Sequence, residues 1–168
     1  MITVIKTRVS QITLRKRIGS YIIATTPHEE IIRKLKRPYV RYTRADEKNV
    51  RKADCLIIDC FGLLSSIYRY GEIAYIGGGF GVGIHNTLEA AVYGIPVIFG
   101  PKYQKFQEAI QLLEAKGAFS VKDYEELKTL LDRMLTDEVF LRESGMNASN
   151  YVTGNAGATD KIMSMINF

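Results

Sequence analysis

The feature that most constrains the fold is the alternation of short, wholly apolar segments with longer segments of helical character. Cys55-Leu56-Ile57-Ile58 is one such apolar segment, and residues 95–99 form another. A strand that is apolar throughout must be covered on both faces. A strand followed by a helix pairs with the next strand in parallel, through a right-handed crossover. The pattern therefore predicts a mostly parallel sheet between two layers of helices.

The predicted elements repeat this alternation along most of the chain. We expect strands or extended segments at residues 21–25, 39–43, 55–59, 73–76, 95–99 and 118–121. We expect helices at residues 27–37, 61–70, 86–93, 103–116, 123–135, 137–152 and 156–166, the first with Thr26 as N-cap and Pro27 at its first position. The sequence thus indicates a three-layer, Rossmann-like α/β domain over residues 21–168, preceded by a basic segment, residues 1–20, with no clear period.

Basic residues are concentrated at the start of the chain. Residues 1–52 hold 14 Lys and Arg against 4 Asp and Glu, whereas residues 53–168 hold 9 against 14. The cations of the first helix, namely Arg33, Lys34, Lys36 and Arg37, could contact an anionic membrane or a phosphate, or could form an ordinary solvated face. No recognition helix, finger spacing or RNA-binding aromatic pattern accompanies them, so nucleic acid is not an expected partner.

Cysteine and histidine usage excludes several classes of protein. Cys55 and Cys60 are the only cysteines, and His28 and His85 are the only histidines. Neither a disulfide framework nor a Cys/His zinc site is expected, and a reducing, cytoplasmic setting fits. No apolar stretch approaches the roughly 18 residues of a membrane span. Residues 1–20 lack the continuous apolar block of a signal peptide, so we expect a soluble chain.

Residues 77–83 read Gly-Gly-Gly-Phe-Gly-Val-Gly, with five glycines in seven positions. A loop of this kind between a buried strand and a helix brings backbone N–H groups close to a ligand, typically an anion at the helix N-terminus. No register gives the dinucleotide pattern G-x-G-x-x-G, and no Lys-Ser or Lys-Thr follows as in a Walker loop. A turn needed only for tight packing is the simpler explanation, but seven residues exceed what such a turn requires.

The segment after the loop begins His85-Asn86-Thr87-Leu88-Glu89. Asn86 is a suitable N-cap, and Glu89 lies at the position of a capping-box carboxylate. Alternatively, the two oxygens of Glu89 match the two hydroxyls of a ribose 2′,3′-diol. His85 could donate to a phosphate or sugar oxygen, or could be structural. Spacing alone leaves these alternatives open. Lys102 and Lys105 follow the next strand and could reach the same edge of the sheet, or be solvated.

These residues resemble a known family. Residues 74–91 and 93–101 are similar to the nucleotide-sugar half of GT-B glycosyltransferases, and more closely to 3-deoxy-D-manno-octulosonic acid (Kdo) transferases of lipopolysaccharide synthesis. Residues 59–64, 105–109 and 155–159 extend the resemblance, which is close over 54–160 and plausible from about 21. The combination of the glycine loop, His-Asn-x-x-Glu and Phe-Gly-Pro is specific, whereas the loop alone would not be.

The resemblance implies a donor-binding role. The fold would be the C-terminal half of a GT-B enzyme, the donor CMP-Kdo, and the acceptor a lipid A precursor at the cytoplasmic face of the bacterial inner membrane. The transfer would proceed with inversion and without a metal, and the chain has no Asp-x-Asp pair for one. No cofactor is expected. The residues that would line the donor site are Gly79, Phe80, Gly81, Val82, Gly83, His85, Asn86, Thr87, Glu89, His28 and Lys102.

The chain also departs from this family. The family enzymes are roughly twice as long, and their N-terminal half binds the acceptor and supplies the carboxylate base. That half is missing from these 168 residues, as is a recognisable first strand and helix of the C-terminal half in residues 1–20. We therefore expect no catalytic base in this chain, and donor binding without transfer. The alternatives are the donor half of a GT-B enzyme that uses a UDP- or GDP-sugar, and a non-catalytic nucleotide-binding module.

Overall fold

The computed structural model describes residues 2–7, 21–25, 28–81, 83–157 and 163–165. Its strands are β1 (Ile2–Thr7), β2 (Tyr21–Thr25), β3 (Tyr39–Arg41), β4 (Cys55–Ile58), β5 (Gly71–Ile76), β6 (Val97–Phe99) and β7 (Ala118–Ser120). Its helices are α1 (His28–Lys34), α2 (Glu47–Val50), α3 (Leu64–Ile67), α4 (Leu88–Ala91), α5 (Gln107–Glu114), α6 (Tyr124–Thr136) and α7 (Glu138–Asn155). Short 3-10 helices cover Tyr42–Arg44 and Tyr68–Tyr70.

The seven strands form one sheet in the order β3-β4-β2-β1-β5-β6-β7. Two parallel blocks of three strands, β3-β4-β2 and β5-β6-β7, lie on either side of β1. Strand β1 runs antiparallel to both of its neighbours. The predicted α/β class with a mostly parallel, Rossmann-like sheet is confirmed.

Strand β1 comes from the segment that the sequence left unassigned. Val4 lies opposite Ile23 of β2 and Tyr75 of β5, at the centre of the sheet. The run Thr3-Val4-Ile5 is rich in β-branched residues, which favour a strand, but nothing local specifies its partners or its direction. The domain boundary at residue 21 stays a prediction; the structure adds this strand to the same sheet. Residues 8–20 lie outside the described part of the chain.

Apolar side chains of the central strands pack on both faces of the sheet. On β5, Ala74 and Ile76 belong to a core cluster that also contains Phe99, whereas Ile73 belongs to a second cluster with Met134 of α6. Alternate residues of a strand point to opposite faces. The expectation that both faces are covered is thus confirmed, and it explains why these strands read as unbroken apolar runs.

Several helices are shorter than the sequence suggested. The helix predicted at 61–70 forms only over Leu64–Ile67 and continues as the 3-10 turn Tyr68–Tyr70, and the helix predicted at 86–93 is only Leu88–Ala91. Gly62, which precedes α3, and Gly94, which follows α4, both have a left-handed φ, and this conformation interrupts a helix. The predicted helices at 123–135 and 137–152 are confirmed.

Two other predictions fall largely outside the described residues. The N-cap Thr26 and Pro27 are not described, and α1 begins at His28. The last predicted helix, 156–166, lies mostly outside as well, although Ala156 is extended and ends α7. In the described part of the chain no helix is long and apolar enough to cross a bilayer.

Helix α7 supplies a stability test. Gly145 lies so close to the carbonyl oxygen of Gly94 that an added Cβ would overlap it, whereas a Cβ at Gly154 would meet no atom within 4 Å. Gly145→Ala should cost about 1–3 kcal/mol of unfolding free energy through overpacking. Gly154→Ala should be neutral or stabilise by up to about 1 kcal/mol, because alanine favours helix. Urea denaturation of both variants measures this; equal effects would contradict the close approach of α7 and Gly94.

Candidate functional site

The carboxyl ends of the parallel strands meet at one edge of the sheet. The order in which successive strands are added to the sheet reverses next to β5. Strands β3 and β4 lie beyond β2 on one side of the sheet, whereas β6 and β7 follow β5 on the other side. In open α/β sheets ligands bind outside the carboxyl ends at such a switch point. The glycine loop follows β5 and therefore lies at this position, as the sequence predicted.

The glycine loop folds back on itself and rests on the turn after β6. The N–H of Gly79 donates to the carbonyl of Gly83 over 2.7 Å, and Gly78 forms an isolated bridge with Ile84. The N–H groups of Gly100 and Lys102 donate to the carbonyls of Gly78 and Gly79, at 3.2 and 2.8 Å. Backbone hydrogen bonds on both sides thus fix the base of the loop.

Three glycines of the loop are required by the fold itself. Gly78, Gly79 and Gly83 all have positive φ, between 78° and 125°. A Cβ on Gly79 would lie 2.7 Å from the carbonyl oxygen of Gly100. The packing explanation left open by the sequence therefore accounts for these positions.

Gly81 is different from the other glycines of the loop. It has no left-handed φ, and a Cβ there would meet no atom within 4 Å. Neither conformation nor internal packing explains a glycine at this exposed position. The absence of a side chain leaves the backbone of Gly81 open to the approach of a ligand. Phe80, beside it, is 47% exposed, and Val82 lies outside the described residues.

Asn86 and Glu89 are held together at the start of α4. The side-chain amide of Asn86 donates to Oε1 of Glu89 over 3.2 Å, and its Oδ1 accepts from the backbone N–H of Leu88 over 3.0 Å. A capping box requires the Glu89 carboxylate to accept from the backbone N–H of Asn86. Glu89 instead accepts from the side chain of Asn86, so the two residues do not form a capping box. Among the described residues Glu89 has no other hydrogen-bond partner. Its second oxygen is free for a ligand.

The remaining predicted residues differ in exposure. His85 and Lys102 are exposed on the same loop system, next to the bonded segments. Thr87 is fully buried, and its hydroxyl has no hydrogen-bond partner in the described part of the chain. A ligand reaches it only if the loop moves, so its role stays a prediction. His28 begins α1 after β2, at the same edge, and its role also stays a prediction.

Sequence reasoning missed a polar network at the β4 end of this edge. Asp59, directly after β4, accepts hydrogen bonds from the backbone N–H and the hydroxyl of Thr43, at 3.0 and 2.7 Å. Arg41 of β3 forms an ion pair with Glu29 of α1 at 2.8 Å. The network ties the ends of β3 and β4 to the start of α1. Nothing in the sequence pairs residues 12 and 16 positions apart, so only the tertiary structure reveals it.

The network also sets the charge state of Asp59. Desolvation by burial acts to raise the pKa of Asp59, but the hydrogen bonds from Thr43 and the charge of Arg41 outweigh it and hold the pKa below its usual value. Asp59 is therefore an ionised acceptor that positions a loop. The described residues contain no group of three or more His, Cys, Asp or Glu that could hold a metal ion.

The fold is that of a Rossmann-like α/β domain, and comparisons with known proteins show which sequences it resembles. The chain is 42% identical over 87 residues to the 3-deoxy-D-manno-octulosonic acid transferase of Aquifex aeolicus, an alignment that covers 51% of the chain and 25% of that protein. It is 30% identical over 147 residues to the enzyme of the same name from Rickettsia prowazekii, covering 82% of the chain and 32% of that protein. No family model matches the chain.

A solved structure has the same fold. The C-terminal CMP-Kdo binding domain of WaaA from Acinetobacter baumannii superposes with a TM-score of 0.64 at 20% identity, over 74% of this chain and 65% of that one. The resemblance to Kdo transferases is thus confirmed: the chain is related in sequence to these glycosyltransferases. It spans about a quarter to a third of the length of the relatives it matches.

Two glycines of the loop should differ in how strongly alanine destabilises them. Gly79→Ala should lose about 2 kcal/mol, because it combines a left-handed φ with a clash against Gly100. Gly81→Ala should change stability by less than about 0.5 kcal/mol. Thermal unfolding followed by circular dichroism measures both. A large loss at Gly81 would mean that the loop packs more tightly there than the structure shows.

The link between Thr43 and Asp59 should be pH-dependent. A lowered folded-state pKa stabilises the fold above the unfolded value of about 3.9, and this stabilisation is lost as the pH falls through the folded value. Thr43→Val should therefore cost about 1 kcal/mol near neutral pH, with a smaller difference below about pH 4. Urea unfolding at both pH values checks this, with the exposed Thr129→Val on α6 as control. A cost independent of pH would show that Thr43 acts through packing alone.

Proposed function

We propose that this chain is the donor-binding half of a Kdo transferase and that it binds CMP-Kdo at the edge formed by the glycine loop and the start of α4. The observation that carries the proposal is Gly81, a glycine that neither backbone conformation nor packing requires, at the switch point of the sheet. The sequence relationship to Kdo transferases supports the choice of donor.

The tip of the loop would hold the phosphate. The N–H groups of Phe80 and Gly81 have no hydrogen-bond partner among the described residues. Fixed backbone donors of this kind stabilise charge where it develops, which here is the phosphate of the departing CMP. Helix α4 has only four residues. Its dipole would therefore contribute less to phosphate binding than the dipole of the eight-residue helix predicted from the sequence. The loop N–H groups and Lys102 would therefore carry most of the phosphate contact.

Glu89 would bind the ribose. Asn86 holds Oε1 of Glu89, which fixes the rotamer of the carboxylate and leaves Oε2 available. A carboxylate accepts from two vicinal hydroxyls at once, whereas an amide offers a single oxygen. His85, exposed beside Asn86, would face the same ligand.

The rest of the proposed reaction lies outside the described residues. We propose that transfer goes to a lipid A precursor at the inner membrane, with inversion and without a metal, as the resemblance implies. The base that deprotonates the acceptor hydroxyl would come from an acceptor-binding half, and no side chain of this chain is assigned that role. The 168 residues alone would bind the donor without transferring Kdo.

A second candidate is a different nucleotide preference. A GT-B donor half for UDP- or GDP-sugars would use the same loop and the same ribose contact, and so would a nucleotide-binding module without catalysis. The exposed acceptors at this edge do not distinguish cytosine from uracil. Binding measurements separate these alternatives.

Calorimetric titration with CMP, UMP and GMP at one moderate salt concentration tests the donor site. We expect CMP to bind at least about tenfold more tightly than UMP or GMP. Glu89→Gln should weaken CMP binding about 10- to 100-fold, which corresponds to the loss of charge-assisted hydrogen bonds worth about 1.5–3 kcal/mol. Gly81→Ala should weaken it similarly while the melting temperature stays unchanged.

Matched controls separate the site from general electrostatics. Glu125→Gln changes the same charge on the exposed face of α6 and should leave CMP binding unchanged. Equal binding of all three nucleotides, insensitive to Glu89, would contradict the proposed site and leave only attraction to a basic chain. Selective UMP or GMP binding that needs Glu89 would support the second candidate.

The proposal that these 168 residues bind the donor without transferring Kdo has its own test. With CMP-Kdo and a lipid A precursor, the 168-residue chain should form no Kdo-containing lipid above background in thin-layer chromatography. Transfer by the chain alone would place the base within it. In that case alanine substitution of each carboxylate at the donor edge, beginning with Asp59 and Glu89, would locate it.

A further inference from the structure

A cleft of about 960 Å³ lies at the amino edge of the sheet, opposite the glycine loop. Its walls are the segment that leads into β5, the turn that leads into β6, and the outer face of α7. Because it is at the other end of the strands, it is separate from the proposed donor site. Nothing in the donor-binding role uses it.

Large apolar side chains remain exposed in this cleft. Tyr70 and Tyr93 are 38% and 39% exposed, and Val139 and Met146 of α7 are 53% and 56% exposed. Val92, next to Tyr93, is exposed as well. Contiguous exposed apolar surface with a polar rim is typical of a protein–protein contact.

The charges at the rim are balanced. Arg69 and Arg142 line the cleft together with Glu72 and Glu138. Two cations and two carboxylates offer no advantage to a strongly anionic ligand or an anionic membrane. They match a surface that carries the same charges in the opposite order.

Glu138 and Arg142 occupy positions four apart on α7, a spacing at which opposite charges are neighbours on the helix surface. On α6 the pair Lys128 and Asp132 has this spacing and forms an ion pair at 2.8 Å, and Lys122, just before α6, pairs with Glu126 at 3.8 Å. No ion pair joins Glu138 to Arg142 or to any other described residue. Both side chains line the cleft instead and are available to a partner.

We propose that the cleft binds a second copy of this chain through a two-fold axis across the first turns of α7. Antiparallel pairing of the two α7 helices places Glu138 of each copy opposite Arg142 of the other, since contacts across a two-fold axis are reciprocal. The apolar side chains of one copy then cover those of the other. The glycine loops stay at the outer ends of the dimer, so nucleotide binding is unaffected.

Another occupant is available within the chain, but its charge does not fit. Thr7 ends β1 and Tyr21 begins β2 at this same edge, so residues 8–20 join two nearby points. Those residues carry four cations, Arg8, Arg15, Lys16 and Arg17, and no acid. A cleft with equal numbers of both charges gives them no electrostatic preference, whereas a second copy complements it.

Sedimentation equilibrium from about 1 to about 100 μM tests the dimer. The mass should rise from that of the 19.0 kDa chain toward twice that value. Arg142→Glu and Glu138→Arg should each raise the dissociation constant at least about tenfold, through like-charge contacts. The double variant carrying both changes should return to within about threefold of the native value. Lys128→Glu on α6 makes the same charge change outside the cleft and should have no effect.

Several outcomes would overturn the proposal. These are a monomer across the concentration range, native-like dimerisation of Arg142→Glu with an unchanged melting temperature, and failure of the double variant to restore association. If the native chain is monomeric and a cross-linker attached at position 146 (Met146→Cys) captures residues 8–20, that segment occupies the cleft. The CMP titration should be the same for all variants, so the dimer and the donor site can fail independently.

Discussion

The close backbone contact between the loop after β5 and the turn after β6 is the constraint on which the proposed donor site depends. Gly78 and Gly79 accept hydrogen bonds from Gly100 and Lys102, and no side chain fits between these segments. Two neighbouring parallel strands thus end in loops that are fixed against each other. The tip of the first loop is carried outward by this base, which is why a single glycine there can be free of packing demands while its neighbours are not.

Close backbone contacts at glycines also occur at the amino edge of the sheet. Gly94 and Gly145 bring the turn before β6 and helix α7 into backbone contact, and Gly117 approaches Ala148 of the same helix. Helix α7 is therefore attached at the amino ends of the strands through close backbone contacts at glycines, in addition to side chains such as Phe140 and Leu141 that pack against the core. Val139 and Met146, on another side of the helix, remain exposed and line the apolar cleft.

The sequence predicts those parts of the fold that local physics decides. Runs such as residues 55–58 and 73–76 are apolar throughout because both of their faces are covered, and the N-caps Asp123 and Asp137 mark α6 and α7 by hydrogen bonds within three residues. The central, antiparallel place of β1 depends on pairing with distant strands, and no local signal specifies it. The bonds from Thr43 to Asp59 are equally non-local. The glycine loop can be recognised from the sequence. Only the three-dimensional structure distinguishes Gly81 from the glycines that packing requires.

The cations that cluster along the chain do not cluster at the carboxyl edge of the folded sheet. The excess of cations in residues 1–52 suggests attraction of phosphates, yet Arg37, Arg51 and Lys52 precede β3 and β4 and therefore lie at the amino edge. At the donor edge Arg41 is already paired with Glu29, and Asp59 and Glu89 add negative charge. Apart from Lys102, diffuse electrostatics would thus contribute little to holding a nucleotide at the proposed donor site. Recognition there would depend on directed hydrogen bonds from the loop backbone and to Glu89, an arrangement that discriminates between ligands of equal charge.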